Sequence, residues 1–160
     1  MRILYIIILI STLFGCRSER ENTVSSEAEL EATFDDLIAT FMSGNDEVAV
    51  GFYLSPKGGE WDMRLSSTTK LVGEAIRSKT SLTLQDSKVI GRHGVILIAE
   101  EDQDSVKPMY ALMTAKGWKF MPGFAMWSNQ LVDLGLELSE SDKVDGQEIT
   151  KWVAGQAKSQ

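Results

Sequence analysis

The sequence has very little of what disulfide, redox or metal chemistry requires. Its 160 residues include one cysteine and one histidine. A single cysteine cannot form a disulfide within the chain, and a single histidine, His93, excludes a histidine-rich metal site. No nucleophile-elbow, Walker, dinucleotide-binding or zinc-protease motif occurs. The composition therefore predicts no cofactor, no metal site and no catalytic residue of a familiar class.

Positive charge is also scarce, since the formal net charge is −7. An acidic surface repels both nucleic acid and bare anionic lipid, so we expect neither as a partner. The length suits one domain with a core of its own.

Long apolar runs are confined to the N-terminus. The run Ile3 to Phe14 follows Arg2 and would span about 18 Å as a helix, well short of the roughly 30 Å hydrocarbon core of a bilayer. Its length favours the hydrophobic region of a signal peptide over a transmembrane helix.

The residues Leu13-Phe14-Gly15-Cys16 that end this run resemble the lipobox of bacterial lipoproteins. The resemblance implies cleavage between Gly15 and Cys16, which leaves residues 1–15 as the signal peptide. It also implies that Cys16 carries a diacylglyceryl thioether and anchors the protein to a membrane, where two or three acyl chains hold firmly. The alternative is an ordinary buried cysteine in a retained anchor helix.

Cys16 and the polar residues after it, up to residue 26, are predicted to form a flexible tether. By resemblance to lipoprotein sorting, Arg17 in place of aspartate favours the outer membrane in a Gram-negative cell. The expected location is the cell envelope, outside the cytoplasm.

Residues 27–160 are predicted to form one domain that begins with helices. Ser26 and Glu29 fit a capping box, and apolar residues then recur at helical spacing until Gly44. A shorter helix from Glu47 to Tyr53, capped by Asp46, is expected next. The stretch "EWDMRLS" alternates apolar and polar residues and predicts a short strand, and Ser67 to Ser78 predicts a third helix.

A four-stranded antiparallel meander is predicted to follow. Leu82–Ile90 and Val95–Glu101 flank the turn "GRHG", and Lys107–Ala115 and Trp118–Met121 flank the turn Lys116-Gly117. Residues 123–160 predict a helical tail in two pieces.

This order of elements, with "SGNDE" after the first helix and "AKGWKFMP" as the last strand, resembles the nuclear transport factor 2-like, or cystatin-like, cone. The resemblance covers residues 27–122 and implies an α+β fold in which a curved antiparallel sheet wraps around the N-terminal helix. Alternation along the last strand would turn Trp118 and Phe120 towards that helix and Lys119 outwards.

The residues that could carry chemistry all have a plainer interpretation. His93 is expected to be exposed in its turn, Asp35 and Asp36 on the solvent face of the first helix, and the acidic run from Glu100 to Asp104 in a solvated hairpin loop. A group of apolar residues could line a ligand pocket, although core packing explains them as well. They are Trp61, Met109, Met113, Trp118 and Phe120.

The leading functional hypothesis is therefore a lipid-anchored, non-catalytic envelope protein whose domain acts as a scaffold or binds another envelope protein. A pocket for a small molecule or lipid is the alternative. An isomerase or dehydratase of the kind that cone folds support comes third, because it needs a buried, tuned carboxylate.

Overall fold

The computed structural model describes residues 26–55, 59–78, 82–100, 106–122 and 138–156. The predicted signal peptide, Cys16 and most of the predicted tether lie outside the described residues. The helices are α1 (Glu27–Met42), α2 (Asp46–Ala49), α3 (Gly59–Ser78) and α4 (Glu140–Gln156), and a 3-10 turn (Val50–Phe52) follows α2. The strands are β1 (Leu82–Ile90), β2 (His93–Glu100), β3 (Val106–Thr114) and β4 (Gly117–Phe120).

Both predicted ends of α1 are confirmed. Ser26 accepts a hydrogen bond from the backbone N–H of Glu29, and the Glu29 side chain accepts one from the backbone N–H of Ser26. This reciprocal pair satisfies two amides that the first helical turn leaves without a partner. Gly44 follows the helix with φ +78°, a conformation that costs glycine little.

The expected helix from Glu47 to Tyr53 is shorter and less regular. Asp46 is the first residue of α2, Asn45 precedes it, and the chain tightens into the 3-10 turn before Tyr53. Tyr53 itself lies beside β4, in a parallel bridge to Phe120.

The expected strand at "EWDMRLS" is wrong, because residues 59–78 form one continuous helix, α3. The alternation covers only a few residues, and Trp61 and Leu65 are also four residues apart, as on one face of a helix. Leu65 and Thr69 are buried one turn apart, while Met63 is largely exposed.

The four strands form an antiparallel sheet in the order β1-β2-β3-β4, which confirms the predicted meander. A register shift between Leu84 and Asp86 interrupts β1. The fold is therefore α+β with a sheet that does not close on itself.

His93 does not lie in a turn, and its expected exposure is wrong. The β1–β2 turn is only Gly91 and Arg92, His93 pairs with Ile90, and its side chain is completely buried. Gly94, the second glycine of "GRHG", lies in β2 and not in the turn, and it allows Leu30 and Trp118 to pack closely against the strand. A Cβ at Gly94 would lie 2.7 Å from Leu30 and 3.0 Å from Trp118.

Helices cover both faces of the sheet. Ile96, Ala111, Trp118 and Phe120 belong to the same buried cluster as the apolar residues of α1, and the ring of Phe120 meets Phe34 edge to face at 6.3 Å. The predicted inward orientation of Trp118 and Phe120 is thus confirmed.

On the opposite face, Val95 and Leu97 pack against Ile149 of α4. The second piece of the predicted helical tail is therefore confirmed as α4, whereas residues 123–137 lie outside the described residues.

Candidate functional site: clefts between α3 and the sheet

Helix α3 is attached to the other helices at its C-terminal end. The guanidinium of Arg77 donates two hydrogen bonds to the Asp46 carboxylate, at 2.6 and 2.9 Å, and one to the Phe41 carbonyl oxygen, at 2.7 Å. This fork joins the end of α1, the start of α2 and the end of α3. It holds the pKa of Asp46 below its usual value.

Gly73 lets α3 approach this junction closely. A Cβ at this position would lie 2.3 Å from Asp46 Oδ1 and 2.9 Å from the Phe41 ring. Any larger residue would push α3 away from α1 and α2. The position of α3 over the sheet thus depends on this glycine and on Arg77.

Opposite α3, the first residues of β3 form the second surface of the site. Strand β4 pairs only with Ala111–Thr114, so it does not reach the first residues of β3. Pro108 lies in that first part, which suits a proline because it has no backbone N–H to donate. Here α3 faces the sheet without filling the space between them.

Two adjacent clefts result. The larger has a volume of 530 Å³ and lies between Leu65, Thr69 and Val72 of α3 and residues of β2 and β3. The smaller has a volume of 220 Å³ and extends towards α1. The larger falls within the range of about 300–1,000 Å³ that is usual for small-molecule pockets. The clefts share five wall residues: Tyr53, Val72, Ile98, Lys107 and Met109.

The described walls are mainly apolar, and their polar side chains are those of three threonines, two tyrosines and one lysine: Thr68, Thr69, Thr150, Tyr53, Tyr110 and Lys107. Tyrosine phenols are ordinarily protonated at physiological pH, and burial raises the pKa of Tyr53 and of Tyr110 further, so both are neutral. The Thr69 hydroxyl donates to the Leu65 carbonyl oxygen at 2.7 Å, within α3. Among the described residues that line the clefts, Lys107 is the charged one, and none is a carboxylate.

The predicted pocket residues separate into two groups. Met109 lines both clefts, whereas Met113, Trp118 and Phe120 pack in or against the α1 core and line neither. Trp61 lies in the first turns of α3, and its side chain lies outside the described residues.

Sequence reasoning did not identify Leu65, Val72 or Lys107 as site residues. The spacing of Leu65, Thr69, Val72 and Ile76 fits one helical face. This pattern would have revealed the α3 wall if residues 59–66 had been interpreted as helix. Nothing local to Lys107 indicates that it meets α3.

A second group of polar residues surrounds His93, at the N-terminus of α4. Asp142 is buried, accepts hydrogen bonds from the backbone and side chain of Ser139, and lies 3.4 Å from Nε of Arg92. Burial opposes its charge, but these hydrogen bonds and the nearby Arg92 and His93 outweigh that effect and lower the pKa of Asp142. Burial lowers the pKa of His93 more than the neighbouring Asp142 and Asp145 raise it.

The remaining candidates form no site in the described part of the chain. Asp35 and Asp36 are exposed, as expected. Of the acidic run from Glu100 to Asp104, Glu100 ends β2 and the rest lies outside the described residues. The described residues contain no cluster of three or more potential metal ligands. Among the described helices, none combines the length and apolar character needed to cross a bilayer.

Comparisons with protein-family models, with curated proteins and with solved structures find no match for this chain.

Proposed function

We propose that this protein is a lipid-anchored protein of the bacterial cell envelope that binds an apolar small molecule or lipid in the clefts between α3 and the sheet. The observation that carries the proposal is the 530 Å³ cleft, whose described walls are mainly apolar. Such a cavity with a few polar groups is the usual form of a small-molecule site. The leading alternative, a scaffold without a ligand, would not need this space.

The proposal includes a cone-like arrangement of the domain, in which the sheet curves around α1. The contacts of Phe34 and Leu30 with the sheet support it. In this arrangement α1 fills one part of the concave face, and the clefts occupy the part beside α3.

The protonation of the cleft residues favours binding over catalysis. An isomerase or dehydratase needs a general base within reach of its substrate. The two tyrosines in the walls are held protonated, and the described walls contain no carboxylate.

The anchor part of the proposal depends on Leu13-Phe14-Gly15-Cys16. Helix α1 begins at Glu27, so ten residues separate it from Cys16. Ten extended residues reach at most about 35 Å, so acylated Cys16 would keep the clefts close to the membrane, the source of apolar ligands. Cys16→Ser is expected to abolish fatty-acid labelling in cells and to leave an unprocessed precursor. Normal processing of that variant would contradict the anchor.

Binding can be tested on the full chain in phosphatidylcholine nanodiscs with a neutral, photoactivatable alkyl probe. After irradiation, peptide mass spectrometry identifies the labelled residues, so labelling of the domain is distinguished from probe dissolved in the bilayer. We expect labelling of α3 around Val72 and of β3 around Met109. Labelling confined to the N-terminal residues, or none at all, would contradict the proposal.

Adjacent residues of α3 provide a matched pair of variants. Val72 lines both clefts, whereas Leu71 is 66% exposed and lines neither. Val72→Trp should obstruct both clefts and reduce labelling severalfold, and Leu71→Trp should leave labelling unchanged. Equal labelling of the two variants would show that the probe binds elsewhere.

A further inference from the structure

The two clefts follow one another along a single face of α3. The larger cleft is lined by Leu65, Thr69 and Val72, and the smaller by Val72 and Ile76. These positions recur at three- and four-residue spacing, so they form one stripe along the helix. At about 1.5 Å of rise per residue, the stripe from Leu65 to Ile76 is about 16 Å long. The clefts together therefore form an elongated space and not a compact one.

The residues that line both clefts mark the place where they adjoin. Val72 of α3 is one of them, and Ile98 and Met109 lie on the sheet. Val72 and Met109 are half-buried, and a methionine side chain adapts readily to the shape of what packs against it. We expect a flexible chain to pass from one cleft to the other between these two side chains.

The two ends of this space differ in polarity. Thr68, Thr69 and Thr150 line the larger cleft and not the smaller one. The hydroxyls of Thr69 and Thr150 donate to backbone carbonyl oxygens of their own helices, at 2.7 and 2.9 Å, and a hydroxyl oxygen that donates can still accept a hydrogen bond. The described residues that line only the smaller cleft are all apolar, Ile76 and Leu82 among them. An amphiphile therefore fits with its polar end in the larger cleft and its apolar end in the smaller one.

The length of the stripe matches one acyl chain of a membrane lipid. The hydrocarbon core of a bilayer is about 30 Å thick and contains two leaflets, so one chain extends about 15 Å. We infer that the clefts bind a single extended alkyl chain of this length, with its polar end beside the threonines, and that the α3 residues of the smaller cleft limit the chain length. The inference rests on the proposed function, because it concerns the same clefts.

The orientation can be tested with two photoactivatable alcohols in the labelling assay, on the full chain in phosphatidylcholine nanodiscs. Both probes are derivatives of hexadecan-1-ol, with the reactive group either at the end of the chain or beside the hydroxyl. We expect the first to label α3 around Ile76 and β1 around Leu82, and the second to label α3 around Thr68. Identical labelling by the two probes, or the reverse pattern, would overturn the inference, while labelling within the clefts would still support the proposed function.

Chain length is tested by competition between uncharged alcohols and a trace amount of the probe. Octan-1-ol and hexadecan-1-ol share one headgroup, and each is compared between the wild type and Ala75→Phe, so its partitioning into the bilayer cancels. Ala75 is exposed and lines only the smaller cleft, so a phenyl ring there should obstruct that cleft without disturbing the core. Leu71→Phe is the matched control, since Leu71 is exposed on the same helix and lines neither cleft.

In Ala75→Phe, we expect the hexadecan-1-ol concentration for half-competition to rise at least about fourfold, the effect of leaving one methylene in water. The value for octan-1-ol should stay the same, because the larger cleft alone, from Leu65 to Val72, is about 10 Å long and holds the short chain. Leu71→Phe should change neither value. Equal shifts for the two alcohols, or no shift for hexadecan-1-ol, would overturn the inference while labelling of the clefts still supports the proposed function. Absence of cleft labelling in the wild type would overturn both.

Discussion

The two faces of the sheet are covered by helices in different ways. On the α1 face, aromatic and aliphatic side chains such as Phe34, Trp118 and Phe120 form a continuous buried cluster. On the α4 face, a smaller apolar group around Ile149 adjoins the buried pair His93 and Asp142. The buried core of the α1 face is apolar, and in the described part of the sheet the carboxylates of α1 contact only the edge strand β1, through Glu31 with Ser87 and Glu27 with Lys88. The α4 face, in contrast, buries two ionisable groups whose contribution to stability varies with pH.

The largest expected effect comes from removing the aromatic residue of the α1 face. Trp118 is 3% exposed, so Trp118→Ala should lower the free energy of unfolding by about 3–5 kcal/mol, as for other buried large aromatics. Trp152, the matched tryptophan of α4, is only partly buried, and Trp152→Ala should cost less than about 2 kcal/mol. Chemical denaturation of the purified variants measures both values.

Trp118→Phe separates packing from hydrogen bonding at this position. The indole Nε1 of Trp118 has no hydrogen-bond partner among the described residues. Phenylalanine retains most of the ring volume and loses no hydrogen bond, so this variant should be far more stable than Trp118→Ala. If the two variants lose equal stability, or if Trp152→Ala costs more than Trp118→Ala, the difference between the faces is not as described.

The next prediction concerns pH and belongs to the α4 face. The pKa of His93 lies below its usual value of 6.5 because the imidazole is buried, so the unfolded chain takes up a proton more readily than the folded one. The free energy of unfolding should therefore fall as the pH drops below about 6.5, and this fall should end below the folded-state pKa. Asp142 acts in a separate window: its pKa lies below the usual 3.8, so the stability it provides is lost only below about pH 3.8.

The single histidine makes this prediction easy to measure. His93 is the only histidine of the chain, so its imidazole resonances in a proton NMR titration need no assignment, and their midpoint should lie below 6.5. Denaturant unfolding from pH 8 to pH 5 should show the loss of stability in the wild type, and His93→Asn should remove that pH dependence whatever its own stability. A midpoint at or above 6.5 would contradict the burial of His93 beneath α4.

Local features of the fold were predictable, because each is determined by residues close together in the chain. The capping box of Ser26 and Glu29, the end of α1 at Gly44 and the bounds of β1 are of this kind. The start of α3 was not predictable, because Trp61 and Leu65 fit a strand face as well as a helix face.

The clefts and the burial of His93 depend on contacts between distant parts of the chain. Leu65 and Met109 line the same cleft because contacts with distant residues position α3, among them the hydrogen bonds of Arg77 to Asp46 and the close approach at Gly73. His93 is buried because α4, which begins at Glu140, covers the start of β2. No pattern within the "GRHG" segment indicates that a helix so far along the chain packs against it.

The smallest expected effect is at Lys119, which lies between Trp118 and Phe120 and faces away from α1. Its side chain is half-buried, and its Nζ donates a hydrogen bond to the carbonyl oxygen of Gly51. Lys119→Ala should therefore lower the free energy of unfolding by about 0.5–1 kcal/mol, the usual net value of one hydrogen bond. Lys119→Met keeps the apolar stem and loses only the ammonium group, so a similar loss in both variants would attribute the effect to the hydrogen bond. A loss as large as that of Trp118→Ala would mean that the register of β4 is wrong, and with it the assignment of the two faces of the sheet.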